Sequence, residues 1–453
     1  MSNAFVSDLL ASITERGRAL LRIPPAPIDP EKRAADLLEL CEKLLTGHGE
    51  ASGTATARAV LDRYRDLDED GRITFFEALA RDFGPDHIRL TQAIEAWQAS
   101  PDDDEAGDLH VASEPRRQEL FRRLNRAPGG TAALVALRAD LLDLIPSHHD
   151  FATVDRDLVH LFGSWFNRGF LVLRHIDWST PANILEKVIR YEAVHEIHDW
   201  NDLRRRIDPV DRRCYAFFHP ALIDEPLIFV EVALTEAIPG AIAPLLAEDR
   251  EPVPIARART AVFYSISNCQ RGLARISFGN FLIKQVVEEL RRELPKLDTF
   301  VTLSPVPGFM KWLKAGQDVP VNDEDRALID QLSTPQWLDD AEQAAKLRAI
   351  AEPLAAHYFL KAKTPRGLPV DPVARFHLGN GARLERIDWL GDRSSKGLRE
   401  SGGIMVNYLY DLDDIEKNHE AYANHGEVAA SSAVRKLLKN EGRSYLASIG
   451  LGS

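Results

Sequence analysis

Thr260-Ala261-Val262-Phe263-Tyr264-Ser265-Ile266-Ser267-Asn268-Cys269-Gln270-Arg271-Gly272-Leu273-Ala274-Arg275-Ile276-Ser277-Phe278-Gly279-Asn280 opens a stretch, running on to Phe309, whose reading decides the fold. Apolar and polar side chains alternate from Tyr264, which predicts a half-buried strand. The loop after Asn268 carries Gly272, a residue that tolerates backbone angles others avoid. A helix is expected to open between Ser277 and Asn280, with Leu282, Ile283, Val286, Val287, Leu290 and Leu294 as its buried stripe. Thr299-Phe300-Val301-Thr302-Leu303-Ser304 reads as a second strand, halted by Pro305-Val306-Pro307-Gly308. Strand, glycine-bearing loop and helix N-terminus together make a phosphate cradle, because the first N–H groups of a helix are unpaired and its dipole is positive there. Arg271 and Arg275 add charge beside it. The loop has neither a closing Gly-Lys-Ser/Thr nor a G-x-G-x-x-G, so taken alone it reads as ordinary α/β packing.

The rest of the chain sets limits on that reading. Its 453 residues, 45% apolar, suffice for two or three domains with a substantial core. No apolar run reaches the ~18 residues of a membrane span, and no secretory signal is visible. The three cysteines, Cys41, Cys214 and Cys269, are widely spaced, as in a reducing compartment, and a cytoplasmic location is expected. A net charge of −13 argues against a nucleic-acid partner. Any polyanionic ligand therefore needs local positive charge, for which Arg204, Arg205, Arg206, Arg212 and Arg213, with Arg271 and Arg275, are the candidates.

Residues 1–160 read as a helical domain. Stripes over Ala34–Leu45, Ala57–Tyr64, Ile73–Phe83, Asp86–Gln98, Gln118–Leu124 and Thr131–Leu144 carry it, and the acidic run Pro101–Asp108 reads as a solvated loop. Residues 161–453 form the second domain. Gly169–Ile176, Cys214–His219 and Leu227–Leu234 are its first expected strands, Asn183–Val194 and Trp200–Ile207 its first helices. After Phe309 come helical stretches over Asp323–Leu332 and Pro335–Tyr358, the latter broken at Pro353. A hairpin of Val373–Leu378 with Arg383–Trp389, a strand Gly403–Tyr410 and a helix Val428–Leu438 complete the domain. The fold class is α+β: a helical domain followed by a mixed sheet with flanking helices. His148-His149-Asp150 and Glu192 with His195 have metal-ligand chemistry but no matching further ligands, so no metal is expected.

Tyr264-Ser265-Ile266-Ser267, Gly279-Asn280-Phe281-Leu282-Ile283-Lys284, Leu303-Ser304-Pro305-Val306-Pro307-Gly308-Phe309 and Phe376-His377-Leu378-Gly379-Asn380-Gly381-Ala382 together resemble the malonyl-CoA decarboxylases, as do Ile387-Asp388-Trp389-Leu390 and Gly403-Ile404-Met405-Val406-Asn407-Tyr408. The strand order is similar to that of GNAT acyltransferases, which implies a GNAT-like catalytic domain. The resemblance implies malonyl-CoA as substrate, acetyl-CoA and CO2 as products, no cofactor, no nucleic acid or membrane partner, and a homo-oligomer, dimer or tetramer. It makes Ser304 and His377 catalytic. It places acyl-CoA on Arg271, Gly272, Ala274, Arg275, Ile276, Ser277, Phe278, Gly279 and Asn280, with Ser265 and Tyr408 also in the substrate site. Ser277 stands where other members can carry a glutamate. Asn407, Tyr408 and Tyr410 read as support rather than direct chemistry. His377 is assigned as the acid that protonates the acetyl-CoA enolate; Ser304 either holds the malonyl carboxylate or relays a proton. Transfer of an acyl group to an amine, or mere sensing of acyl-CoA, are the competing functions.

Overall fold

The computed structural model describes residues 30–47, 49–276, 282–316, 326 and 328–438. Helices Pro30–Thr46, Glu50–Arg65, Glu69–Arg81, His87–Ala99, Asp103–Ser113, Arg116–Asn125, Gly130–Leu144 and Ala152–Trp165 succeed one another before the first strand. Their apolar stripes bury Leu37, Phe75, Phe76, Phe121, Leu134, Leu158 and Phe162. The acidic run expected as a loop is instead the start of Asp103–Ser113. Asp102 accepts the Glu105 N–H at 2.9 Å, and the three acidic residues of the first turn lie at the positive end of the helix dipole.

The strands are β1 (Val172–Ile176), β2 (Arg212–Phe218), β3 (Pro226–Thr235), β4 (Thr260–Asn268), β5 (Thr299–Thr302), β6 (Ser304–Pro305), β7 (Arg383–Asp388) and β8 (Met405–Leu409). They form one mixed sheet in the order β1-β2-β3-β4-β5-β8-β6, with β7 also paired to β8. Among the described strands only β4 and β5 pair in parallel, in register from Thr260↔Thr299 to Phe263↔Thr302. Tyr264–Asn268 therefore extends past the end of β5. β3 buries nine of its ten residues, as a strand covered on both faces does. Ile184, Leu185 and Val188 of helix Ala182–Tyr191 and Leu203 and Ile207 of helix Trp200–Ile207 pack on Cys214, Ala216 and Phe229.

Expected elements differ in the second domain too. The helix of Asn183–Val194 ends at Tyr191, because the Glu192 carboxylate accepts the Val194 and His195 N–H groups at 2.8 and 2.7 Å and turns the chain. Helix Ala341–Leu360 continues through Pro353 without a break. Of the expected helix Asp323–Leu332, residues 323–325 and 327 lie outside the described residues, and its end is the 3-10 turn Asp330–Ser333.

By its contacts the chain divides into two compact units. One runs through Leu171 and takes in His219–Ile223 and Gln270–Phe278; the other holds Val172–Phe218, Asp224–Cys269 and Gly279–Ser453. The loop after β4 thus packs with the helices, not with the sheet.

Candidate active site

Ser304 begins β6 opposite Val406 of β8, and its hydroxyl donates to Thr302 Oγ1 at 2.9 Å. That oxygen also accepts the Tyr408 N–H at 3.1 Å, while Asn407 Nδ2 donates to the Thr302 carbonyl at 2.8 Å. Residues 302, 304 and 408 are thereby locked by hydrogen bonds that leave the strand end little freedom.

His377 does not lie on a hairpin strand. Pro372–Gly379 is a helix with His377 in its last turn. Asp371 caps it, accepting the Ala374 N–H at 2.7 Å, and Pro372 occupies the first turn, where its missing N–H costs nothing. Ala374, His377 and Leu378 are its buried side chains. The chain then reverses at Gly381, with φ +81°, where a Cβ would come within 2.1 Å of the Ile415 carbonyl oxygen. Tyr358 donates to Asp371 at 3.3 Å, and Gly308 leaves room for that phenol, since a Cβ there would meet its oxygen at 2.5 Å.

Serine and histidine converge. His377 Nε2 is 3.2 Å from Ser304 Oγ, its Nδ1 is 2.8 Å from the Tyr410 hydroxyl, and its ring stacks on Tyr408 at 4.5 Å. Ser304 is 5% and His377 3% exposed. Burial pushes the imidazole pKa down to about 3, so it is neutral at physiological pH. Because the Ser304 proton is given to Thr302, Nε2–H donates to Ser304 Oγ, and Nδ1 accepts from Tyr410. The sequence reads Tyr410 only as support; it lies one residue past the end of β8, two from Tyr408, and that spacing of two is the signal that assigns both to His377.

The cap has a testable consequence. Burial raises the Asp371 carboxyl to about 6, so between the unfolded value of 3.8 and 6 the folded chain binds the extra proton, and stability declines as pH rises through 6. Asp371→Asn keeps a capping oxygen without the charge and is expected to match or exceed the parent at pH 8. Asp371→Ala loses the cap and about 1–2 kcal/mol. Denaturant unfolding at pH 5 and 8 measures both.

The loop after β4 is built differently from expectation. Gly272 is required for space rather than for backbone freedom, since a Cβ would lie 1.8 Å from the Val135 carbonyl oxygen. The left-handed residue is Arg275, with φ +66°. Arg271 pairs with Asp143, and Arg275 with Asp155 at 2.9 Å; both guanidinium side chains remain 69% exposed. The Ala274 carbonyl accepts from Arg138, and Ile276 is buried. Ser277, Phe278, Gly279 and Asn280 lie outside the described residues.

Ser265 is an interior residue, donating to both oxygens of Glu192 at 2.7–2.9 Å. The other candidate arginines are paired as well. Arg206 is buried against Glu231 and Asp202, and Arg212 donates to the Leu245 carbonyl at 2.5 Å. Arg204, Arg205 and Arg213 pair with Asp208, Glu248 and Glu293. Among the described residues no three His, Cys, Asp or Glu side chains gather as metal ligands. His148 stacks on Phe151.

Fold and site define a class first: an α+β enzyme whose serine and neutral imidazole form one buried hydrogen-bonded unit. Residues 169–448 match the model of the malonyl-CoA decarboxylase C-terminal domain, and residues 83–166 that of its N-terminal domain. The chain belongs to the malonyl-CoA decarboxylase family. It is 34% identical to the mitochondrial malonyl-CoA decarboxylase of Rattus norvegicus, over 95% of this chain and 92% of the relative. The corresponding protein of Anser anser anser is 36% identical, over 82% and 81%. The crystal structure of malonyl-CoA decarboxylase from Rhodopseudomonas palustris superposes with a TM-score of 0.87 at 61% identity, covering 89% of this chain and 99% of that one.

Proposed function

We propose that this chain decarboxylates malonyl-CoA to acetyl-CoA and CO2 without a cofactor, through Ser304 and His377. When the carboxyl carbon leaves, its bonding electrons pass to the α-carbon and are delocalised onto the thioester oxygen, so the substrate is its own electron sink. The protein must align the breaking bond with the carbonyl, donate to the developing enolate oxygen and return a proton to the α-carbon. The direct contact between His377 Nε2 and Ser304 Oγ is the observation that carries this reading.

A neutral imidazole is a competent donor here. In a dry pocket a neutral N–H stabilises a developing oxyanion without the cost of burying a cation, and a carbanionic enolate is basic enough to take a proton from a weak acid. Tyr410 fixes the tautomer: its O–H occupies Nδ1 and leaves the proton on Nε2. Ser304 then passes a proton to the α-carbon while receiving Nε2–H from His377; Nδ1 takes the Tyr410 proton in turn, and solvent reprotonates Tyr410, which supplies the one proton the net reaction consumes. Arg271 and Arg275 supply positive charge for the phosphates of CoA. Three buried free cysteines suit a cytoplasmic, reducing setting, and assembly into a homo-oligomer is expected.

Incubation of the purified protein with malonyl-CoA tests the activity: equimolar acetyl-CoA and CO2 support it, and unchanged substrate refutes it. The state of His377 has its own test. Its pKa is about 3 folded against 6.5 unfolded, so the unfolded chain binds the extra proton between those values. This contribution is complete above pH 6.5 and is lost on acidification, by up to about 1.4 kcal/mol per pH unit. Unfolding titrations from pH 8 to 5 should show that slope in the parent and a shallower one in His377→Asn.

A further inference from the structure

Arg138 is fully buried, an uncommon position for a guanidinium and one that neither Ser304 nor His377 calls for. It lies on helix Gly130–Leu144. Its Nε donates to Asp155 at 2.8 Å, and its Nη1 donates to the Gly272 and Ala274 carbonyls at 2.6 and 3.0 Å. The second Asp155 oxygen accepts Arg275 Nη2 at 2.9 Å, and Arg138 Nη2 has no protein partner. One carboxylate thus serves two guanidiniums, leaving net positive charge at this spot. Burial and the charge of Arg275 both lower the Arg138 pKa, while Asp155 opposes them.

The loop it holds is under constraint. Gly272 is pressed on the Val135 carbonyl, and Arg275 keeps a left-handed backbone that an arginine adopts only when its surroundings impose it. The residue held in that conformation has its side chain exposed.

We propose that Arg138 and Asp155 are positioning residues for acyl-CoA: they lock residues 271–276 so that Arg275 meets a phosphate of CoA. The inference deepens the decarboxylase reading and rests on it. Arg275 rests on Asp155; a phosphate, with more charge and three acceptor oxygens, competes for the same guanidinium while Arg138 keeps Asp155.

The test compares malonyl-CoA with malonyl-pantetheine, which has the thioester but lacks the nucleotide and its phosphates. Arg275→Gln alters an exposed side chain and is expected to raise KM for malonyl-CoA about 10-fold, the loss of one charge-assisted hydrogen bond, with the effect absent for malonyl-pantetheine. Arg138→Lys keeps the charge but cannot bridge two carbonyls and a carboxylate, and should give the same split. An equal rise for both substrates, or no rise for malonyl-CoA, overturns the proposal. Should Arg138→Lys fail to fold, Arg275→Gln and calorimetric titration with CoA decide it alone. A parent enzyme that uses both substrates equally well refutes the phosphate grip but leaves the decarboxylase reading standing; one that uses neither refutes that reading instead.

Discussion

His377→Asn is expected to lower kcat for acetyl-CoA formation by about 10²–10⁴-fold, the range of a general acid–base group, with KM for malonyl-CoA little changed. Asparagine is the informative replacement. Its amide reaches roughly where Nδ1 stood, so the Tyr410 hydroxyl keeps a partner, and only the Nε2–H toward Ser304 is lost. The ring's stacking on Tyr408 is lost as well, which costs about 1 kcal/mol of stability and is checked by a thermal melt. A variant that melts close to the parent and turns over within threefold of it would remove His377 from the chemistry. One that has lost kcat while still binding malonyl-CoA confirms a group needed only as the bond breaks.

Much of this arrangement is legible in the amino-acid sequence, for definite reasons. β3 and β4 are long apolar runs rich in branched and aromatic residues, and turn residues bound them, which is enough to place them. Ser304 is marked by the prolines that end its strand. For His377 the sequence misleads about the kind of element: Val373–Leu378 is too short for its period to separate strand from helix, and the glycines after it mimic a hairpin turn. Asp371-Pro372, a capping residue followed by proline, is the better guide and predicts the observed helix. Asp102 gives the same information for Asp103–Ser113, where the density of acidic residues suggests a loop although acids favour a helix's first turn. The stripe of Val154, Leu158, Leu161 and Phe162 marks helix Ala152–Trp165, whereas Ile415–His425 buries only Ile415 and carries no such stripe. What no local pattern reveals is partnership across the chain. The arginines at 204–213 and at 271–275 look alike in sequence, yet Arg206 and Arg212 are buried and the loop pair is exposed. The same is true of Arg138, whose role depends on carbonyls more than 130 residues away.

Ser304→Ala separates the two jobs open to this hydroxyl. If it held the malonyl carboxylate in the ground state, its loss would appear chiefly in KM. If it relays the proton, kcat falls by about 10²-fold or more while KM stays near the parent value. The hydrogen-bond directions favour the second outcome: the Ser304 proton is given to Thr302, and its oxygen faces the His377 N–H, so the hydroxyl stands within a chain of donors rather than at its end. The substitution also leaves a buried N–H without a partner, costing about 1–3 kcal/mol, so Ser304→Cys is the necessary companion. A thiol restores a weak donor and acceptor in nearly the same place and should recover part of kcat if a relay is at work. Recovery of KM without kcat would instead assign Ser304 to holding the carboxylate, and proton delivery would fall to His377 directly.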